Sequence, residues 1–310
     1  MSDYQTALVE CRQMIKVGSK SFSLASKIFG PEKRDAAFLL YGWCRYCDDL
    51  IDTDQVHGMG MESLEQKLKS LKARTLSAYR GEPQHHPVFI AFQHVVLRYA
   101  IPMHYPMELL EGMAMDVKNM RYADFEALTL YCYRVAGTVG LMMSHIMGVS
   151  SSQALRHAAD LGIAMQLTNI SRDVIEDAEK GRIYLPLDYL NSEGIVPAQL
   201  TQIENRASLS RVVRRILQAA DVYYRSGDRG FPYLSVRCAL AVSAARQIYS
   251  QIGRQVLRRG PRAWDSRTWV SPLTKLWVMS KGMAKIVGEI PARILFPWRP
   301  AALRVIWRHA

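Results

Sequence analysis

Through most of this chain apolar residues recur every three or four positions, and no segment shows convincing strand alternation. That period is the one a helix needs to bury a single face. It predicts helices over about 3–18, 32–53, 62–80, 87–100, 106–121, 125–148, 152–178, 197–226, 236–259 and 271–288. Breaks fall where glycine and proline sit, at Phe29-Gly30-Pro31, at Gly81-Glu82-Pro83 and around Gly181. No internal repeat, low-complexity stretch or Ser/Gly linker divides the pattern. The expectation is an all-α chain with one helical domain over 1–288 and a separate tail over 289–310. A hydrophobic fraction of 49% in 310 residues is ample for a sizeable core.

No apolar run reaches the roughly 18 residues of a spanning helix. The polar start, MSDYQTALVECRQ, has no signal-peptide core behind it, so a cytoplasmic protein is expected. The five cysteines, Cys11, Cys44, Cys47, Cys132 and Cys238, are odd in number and widely spread, which argues against a disulfide framework. Cys44 and Cys47 form a C-x-x-C without a second pair or a nearby histidine, so they read as packed helix residues rather than a zinc site.

Charge is concentrated at one end. From Arg246 onward thirteen Lys and Arg face two acids, Asp265 and Glu289, so this segment holds nearly all of the net +12. An anionic partner is implied there. The tail interleaves Trp298, Trp307, aliphatics and arginine, with Pro291, Pro297 and Pro300 preventing one continuous helix. That composition fits peripheral contact with an anionic membrane, at the inner face of the cell membrane, better than nucleic acid. A core-docked tail is the plainer alternative, and no partner protein is readable.

Two short motifs carry chemistry. In Cys47-Asp48-Asp49-Leu50-Ile51-Asp52, Asp48 and Asp52 lie one turn apart on a helix face shared with Arg45 and Tyr41. Alone, this could be an exposed acidic turn. The segment from Gln166 to Asp177 repeats the spacing: Gln166, Asn169, Asp173 and Asp177 form one polar stripe, opposite apolar Ile163, Leu167, Ile170 and Val174. A buried polar stripe needs partners. Two such helices facing each other would make a cage of oxygen donors, which selects magnesium or manganese. Magnesium shares its shell with substrate phosphates, so a diphosphate ester is the expected substrate.

These motifs, with Ser19-Lys20-Ser21-Phe22, the stretch Tyr131 to Gly140, and Arg172 through Tyr184-Leu185-Pro186, resemble the squalene/phytoene synthase family. They stand in that family's order over about Ser19 to Arg267, and the likeness is to its bacterial phytoene-forming members. The resemblance implies an all-helical isoprenoid-synthase fold with a central cavity between two Asp-rich helices. It implies that Asp48, Asp52, Asp173 and Asp177 hold Mg2+ or Mn2+, assisted by Asn169. It places Ser19, Ser21, Arg45, Arg172, Tyr184 and Arg267 at the substrate diphosphates, with Arg267 the weakest local match. Tyr41 and Arg45 join the four aspartates in the catalytic group. Phe22, Ser26, Phe38, Val135, Val139, Gln166 and Tyr249 are expected around the cavity. Ser26 is of interest because family members that take C15 chains can carry a bulkier residue there.

The implied reaction joins two geranylgeranyl diphosphates head to head, through prephytoene diphosphate, to phytoene. Squalene or dehydrosqualene formation from farnesyl diphosphate is the alternative. Head-to-tail prenyltransferases and terpene cyclases share the Asp-Asp-x-x-Asp spacing but lack the other motifs, and a basic membrane-bound scaffold is the non-catalytic alternative. Three further readings are open on the residues alone. Gly137 and Gly140 beside Val135, Val139 and Met143 either let helices touch or leave room for a chain. Glu179 to Tyr184 is either a flap or an ordinary helix-ending loop. Asp116 supports the site or faces solvent.

Overall fold

The computed structural model describes residues 3–18, 24–56, 61–149 and 151–288. Ser19, Ser21, Phe22 and the tail 289–310 lie outside the described residues. The helices are α1 (Asp3–Gly18), α2 (Pro31–Val56), α3 (Met61–Tyr79), α4 (Pro87–Arg98), α5 (His104–Val117), α6 (Phe125–Cys132), α7 (Thr138–Ile146), α8 (Ser152–Glu179), α9 (Leu187–Ser192), α10 (Arg206–Asp228), α11 (Val236–Arg259) and α12 (Pro272–Gly288). No strand occurs among the described residues, and none of their helices is long and apolar enough to cross a membrane. The cysteines are unpaired, and all but the half-buried Cys44 are buried.

Two apolar cores hold the helices. One joins α1, α2, α3, α4, α5 and α7, around Trp43, which stacks on Phe92 with ring centroids 4.2 Å apart. The other joins α8, α10 and residues 185–200, around Leu167, Leu190, Val212 and Ile216. The central helix is α8. Its start is capped by the Ser151 hydroxyl, which accepts from the Ala154 N–H at 3.2 Å. Its end is closed by Gly181 at φ +78°, with Gly181 N–H donating to Ala178 O and Arg182 N–H to Asp177 O. This is a Schellman turn, so the loop weighed as a flap has the geometry of a helix terminus.

Two expectations about elements need correction. The segment read as one helix over 125–148 is interrupted by a π-helical turn at Tyr133–Gly137, where Thr138 N–H reaches back to Tyr133 O. The helix expected over 197–226 begins only at Arg206, after two 3-10 turns. Apolar spacing could not reveal either change, because both keep side chains at helix-like intervals.

The π turn allows α8 to approach at backbone distance. A Cβ on Gly162 would lie 2.3 Å from Ala136 O, and one on Gly140 would lie 2.5 Å from Ala158 O. These glycines therefore serve helix contact. Gly162→Ala is expected to lower the unfolding free energy by about 1–3 kcal/mol or more, since backbone rather than a flexible side chain must give way. An unchanged urea midpoint would show that the two helices have room to separate.

Candidate active site

The first motif projects from α2. Arg45 donates from Nε to Asp49 at 3.0 Å and from Nη1 to Asp48 at 3.3 Å, with both acids close to half exposed. The guanidinium therefore offsets two neighbouring carboxylates that lie one turn after it on the helix. One turn before Arg45, burial pushes the Tyr41 phenol up to about 12, with Arg45 opposing and Tyr249 and Asp48 adding smaller effects. Asp52 follows on the same helix; its side chain is outside the description.

The second motif lies on α8. Asn169 donates to Gln166 at 3.5 Å, continuing the polar stripe toward Asp173. Arg172 grips Asp173 through both Nε and Nη2. Arg267 reaches the same carboxylate at 3.4 Å and Glu176 at 3.5 Å. It arrives from a turn at Gly260–Trp264, whose Trp264 indole N–H donates to Ser171 O at 3.1 Å. The least secure sequence match thus stands on the second motif. Asp177 is largely buried: burial and then the Asp173 charge push its carboxyl up to about 7, against the pull of Lys180 and Arg182.

Tyr249 of α11 acts electrostatically on a residue of each motif helix. Burial works against the Arg172 charge, while Asp173 and the Tyr249 phenol support it. The same phenol acts on Tyr41 of α2. Tyr249, Gln166 and Asn169 also line a cavity of about 290 Å³. Beyond them the wall is apolar: Val135, Val139, Met143, Leu161, Met165 and Phe231. Along α8 the lining runs from Asn169 to Ala154, about 22 Å by helix rise. Ser26 is 1% exposed and is part of this wall, so it does not face solvent. Both readings of the Val135–Gly140 stripe hold, with valines toward the cavity and glycines against α8.

Phe38 is buried but does not line this cavity, nor does any other residue of α2. That helix packs on α1 and α4, and Tyr41 is its residue within electrostatic reach of Tyr249. Tyr184 was expected at a diphosphate. Its hydroxyl donates to Asp116 at 2.8 Å, and Tyr131 donates to the other oxygen of Asp116 at 2.9 Å. Tyr184 can meet a phosphate with its proton only by releasing that bond. The rings of Tyr131 and Tyr184 stack 5.0 Å apart, so Asp116 ties the segment after the second motif to α5 and α6. Asp116 thus belongs to a support network. That network was not legible from spacing, because its members lie 15 and 68 residues apart.

Among the described residues no three carboxylate, histidine or cysteine side chains stand close enough together to hold a metal ion. The donors still fit a hard cation. They are all oxygens, and burial with the neighbouring Asp173 charge pushes the Asp177 carboxyl up to about 7, a penalty a bound cation would relieve. Mg2+ commonly takes one or two carboxylates and completes its shell with water and substrate phosphates. Asp173, Asp177 and Asn169, which share one stripe of α8, would supply oxygens to such a cation, with Asp48 of α2 the other described candidate.

The sequence profile of the squalene/phytoene synthase family matches residues 15–277. A 15-cis-phytoene synthase from Enterobacter agglomerans is 44% identical over 284 residues, covering 90% of this chain and 96% of that protein. One from Paracoccus sp. is 39% identical, covering 95% of each. A crystal structure of a dehydrosqualene synthase in complex with ligand superposes with a TM-score of 0.84 at 28% identity, covering 92% of this chain and 98% of that one. A squalene synthase from Alicyclobacillus acidocaldarius shares the fold, with a TM-score of 0.75 at 23% identity. With an arginine-braced aspartate motif on α8 continuing the polar stripe of a long apolar cavity, and a family match over most of its length, this chain belongs to the squalene/phytoene synthase family.

Proposed function

We infer that this protein is a prenyltransferase that condenses two geranylgeranyl diphosphates head to head, through prephytoene diphosphate, to phytoene. The observation that carries the reading is the arginine-braced aspartate motif on α8, continuous with the Asn169 and Gln166 end of a long apolar cavity. Relatives at 43–44% identity that bear the phytoene synthase name support the C20 substrate over the C15 alternative.

The first step breaks the allylic C–O bond of one substrate, and the diphosphate leaves with the electron pair. Arg45, Arg172 and Arg267 are placed to take up that negative charge. The double bond of the second molecule attacks the cation, and loss of a proton closes the cyclopropane. The second diphosphate then departs, the ring opens by rearrangement, and proton loss gives the triene centre of phytoene without a reductant. Through both cationic stages the apolar wall keeps water away. A bound divalent cation supplies neutralisation of the diphosphate oxygens and so eases both ionisations; Mg2+ is proposed, with Mn2+ as a substitute.

Purified protein should be incubated with C15 and C20 diphosphates, with and without a nicotinamide reductant and with and without a chelator. A C40 hydrocarbon should form from the C20 substrate without reductant and only when free divalent cation is present. Preferential use of the C15 substrate, or a requirement for reductant, would replace this reading with a squalene-type one.

A further inference from the structure

The outer face of α12 has no partner among the described residues. Its inner side, Val278, Met279 and Ile286, is buried. Its outer side carries Leu273, Leu276, Trp277, Ala284 and Val287, spaced to fall along one stripe. Leu273 is 81% exposed and Trp277 55%, and Trp269, just before the helix, is 69% exposed. The other large exposed hydrophobics of the described residues are single residues on separate elements. Isolated exposed apolar residues need no explanation; an apolar stripe containing Trp277, with Trp269 exposed just before it, does.

Cations flank the stripe. Lys281 lies over the Trp277 ring at 3.9 Å. Arg254 and Arg258 of α11 line an open groove against Leu273 and Trp277. None of Arg254, Arg258, Lys275 and Lys281 is ion-paired among the described residues. We propose that this face of α12, with the adjoining groove of α11, docks on an anionic lipid bilayer, inserting Leu273, Leu276 and Trp277 below the headgroups. Charge decides among possible occupants. The tail carries Arg293, Arg299, Arg304 and Arg308 against Glu289 alone, and a second copy would present the same cations. Either would set like charges together, whereas an anionic bilayer complements both the apolar stripe and its basic border.

Given the function proposed above, the location also suits the reaction. The buried side of α12 packs on Ala25, Ala244 and Ile248 at one place and on Phe231 at another. Ala25 and Phe231 line the cavity, so the bilayer-facing helix is a single layer from the space where a hydrocarbon product forms.

The test is co-sedimentation of the full chain with vesicles of phosphatidylcholine alone and of phosphatidylcholine mixed with an equal part of phosphatidylglycerol. Leu273→Ser/Leu276→Ser/Trp277→Ser should lower partitioning onto the anionic vesicles by roughly tenfold or more. Turnover of the C20 substrate in detergent should be unchanged, which separates this result from a failure of the proposed reaction. Lys275→Gln/Lys281→Gln should reduce binding to the anionic vesicles but not to the neutral ones. Trp298→Ser/Trp307→Ser in the tail should retain more anionic binding than the α12 triple variant. Wild-type partitioning by the triple variant overturns the proposal. So does loss of all binding in the tail variant. Conversion of a wild-type dimer to a monomer by the triple variant, with vesicle binding intact, also overturns it and assigns the face to a second copy.

Discussion

Asp173→Ala and Asp177→Ala should each lower turnover at saturating Mg2+ by roughly a thousandfold or more, with helicity retained. Each removes an oxygen donor from the end of the cavity where a diphosphate would have to be neutralised. Asp48→Ala and Asp52→Ala should behave alike from the opposite motif. Stability should move the other way at one of these positions. The Asp177 carboxyl stands at about 7 in the folded chain, above the roughly 3.9 of an unfolded aspartate. Its charged form is thus disfavoured by folding, and the penalty grows as pH rises from about 4 and is complete above about 7. In metal-free buffer at pH 8, Asp177→Asn should raise stability by about 1–4 kcal/mol, the lower figure allowing for solvent screening. The gain should vanish as pH falls toward 4. Adding Mg2+ should stabilise the wild type and not the variant. Near-normal turnover in any two of the alanine variants would mean that the cation sits elsewhere. A metal-free Asp177→Asn protein no more stable than wild type at pH 8 would remove the buried charge pair from the argument.

Ser26→Phe should lower kcat/KM for the C20 diphosphate by several-hundredfold and leave the C15 substrate untouched or improved. Ser26 is buried in the cavity wall, so a ring there must occupy space that a substrate tail would use. Displacing about one isoprene unit, at about 0.8 kcal/mol per methylene, removes on the order of 3–4 kcal/mol of C20 binding. Overpacking also strains the fold by about 1–3 kcal/mol. That strain affects both substrates equally, so the C20-to-C15 ratio is the quantity to measure. Ser26→Ala, which adds no bulk, should leave the ratio near wild type. An unchanged ratio in Ser26→Phe would place the end of the tail elsewhere.

The sequence alone determined what depends on neighbours three or four residues away. The all-helical class, most helix spans and the stripe from Gln166 to Asp177 follow from that local period, which a helix converts directly into a shared face. The motifs carried the family for the same reason, being contiguous strings. Only the tertiary structure decided what depends on contacts across the chain. It set Arg267 on Asp173 from 94 residues away and turned Tyr184 onto Asp116. It drew Ser26 into the cavity wall while leaving Phe38 outside it. It used Gly140 and Gly162 for backbone contact through a π turn that apolar spacing does not register. The stripe on α12 shows the limit most clearly. Leu276, Trp277, Val278 and Met279 are an unbroken apolar run in the sequence. Which two are buried and which two face outward depends on where α11 lies, because burial is a property of the neighbour and not of the residue.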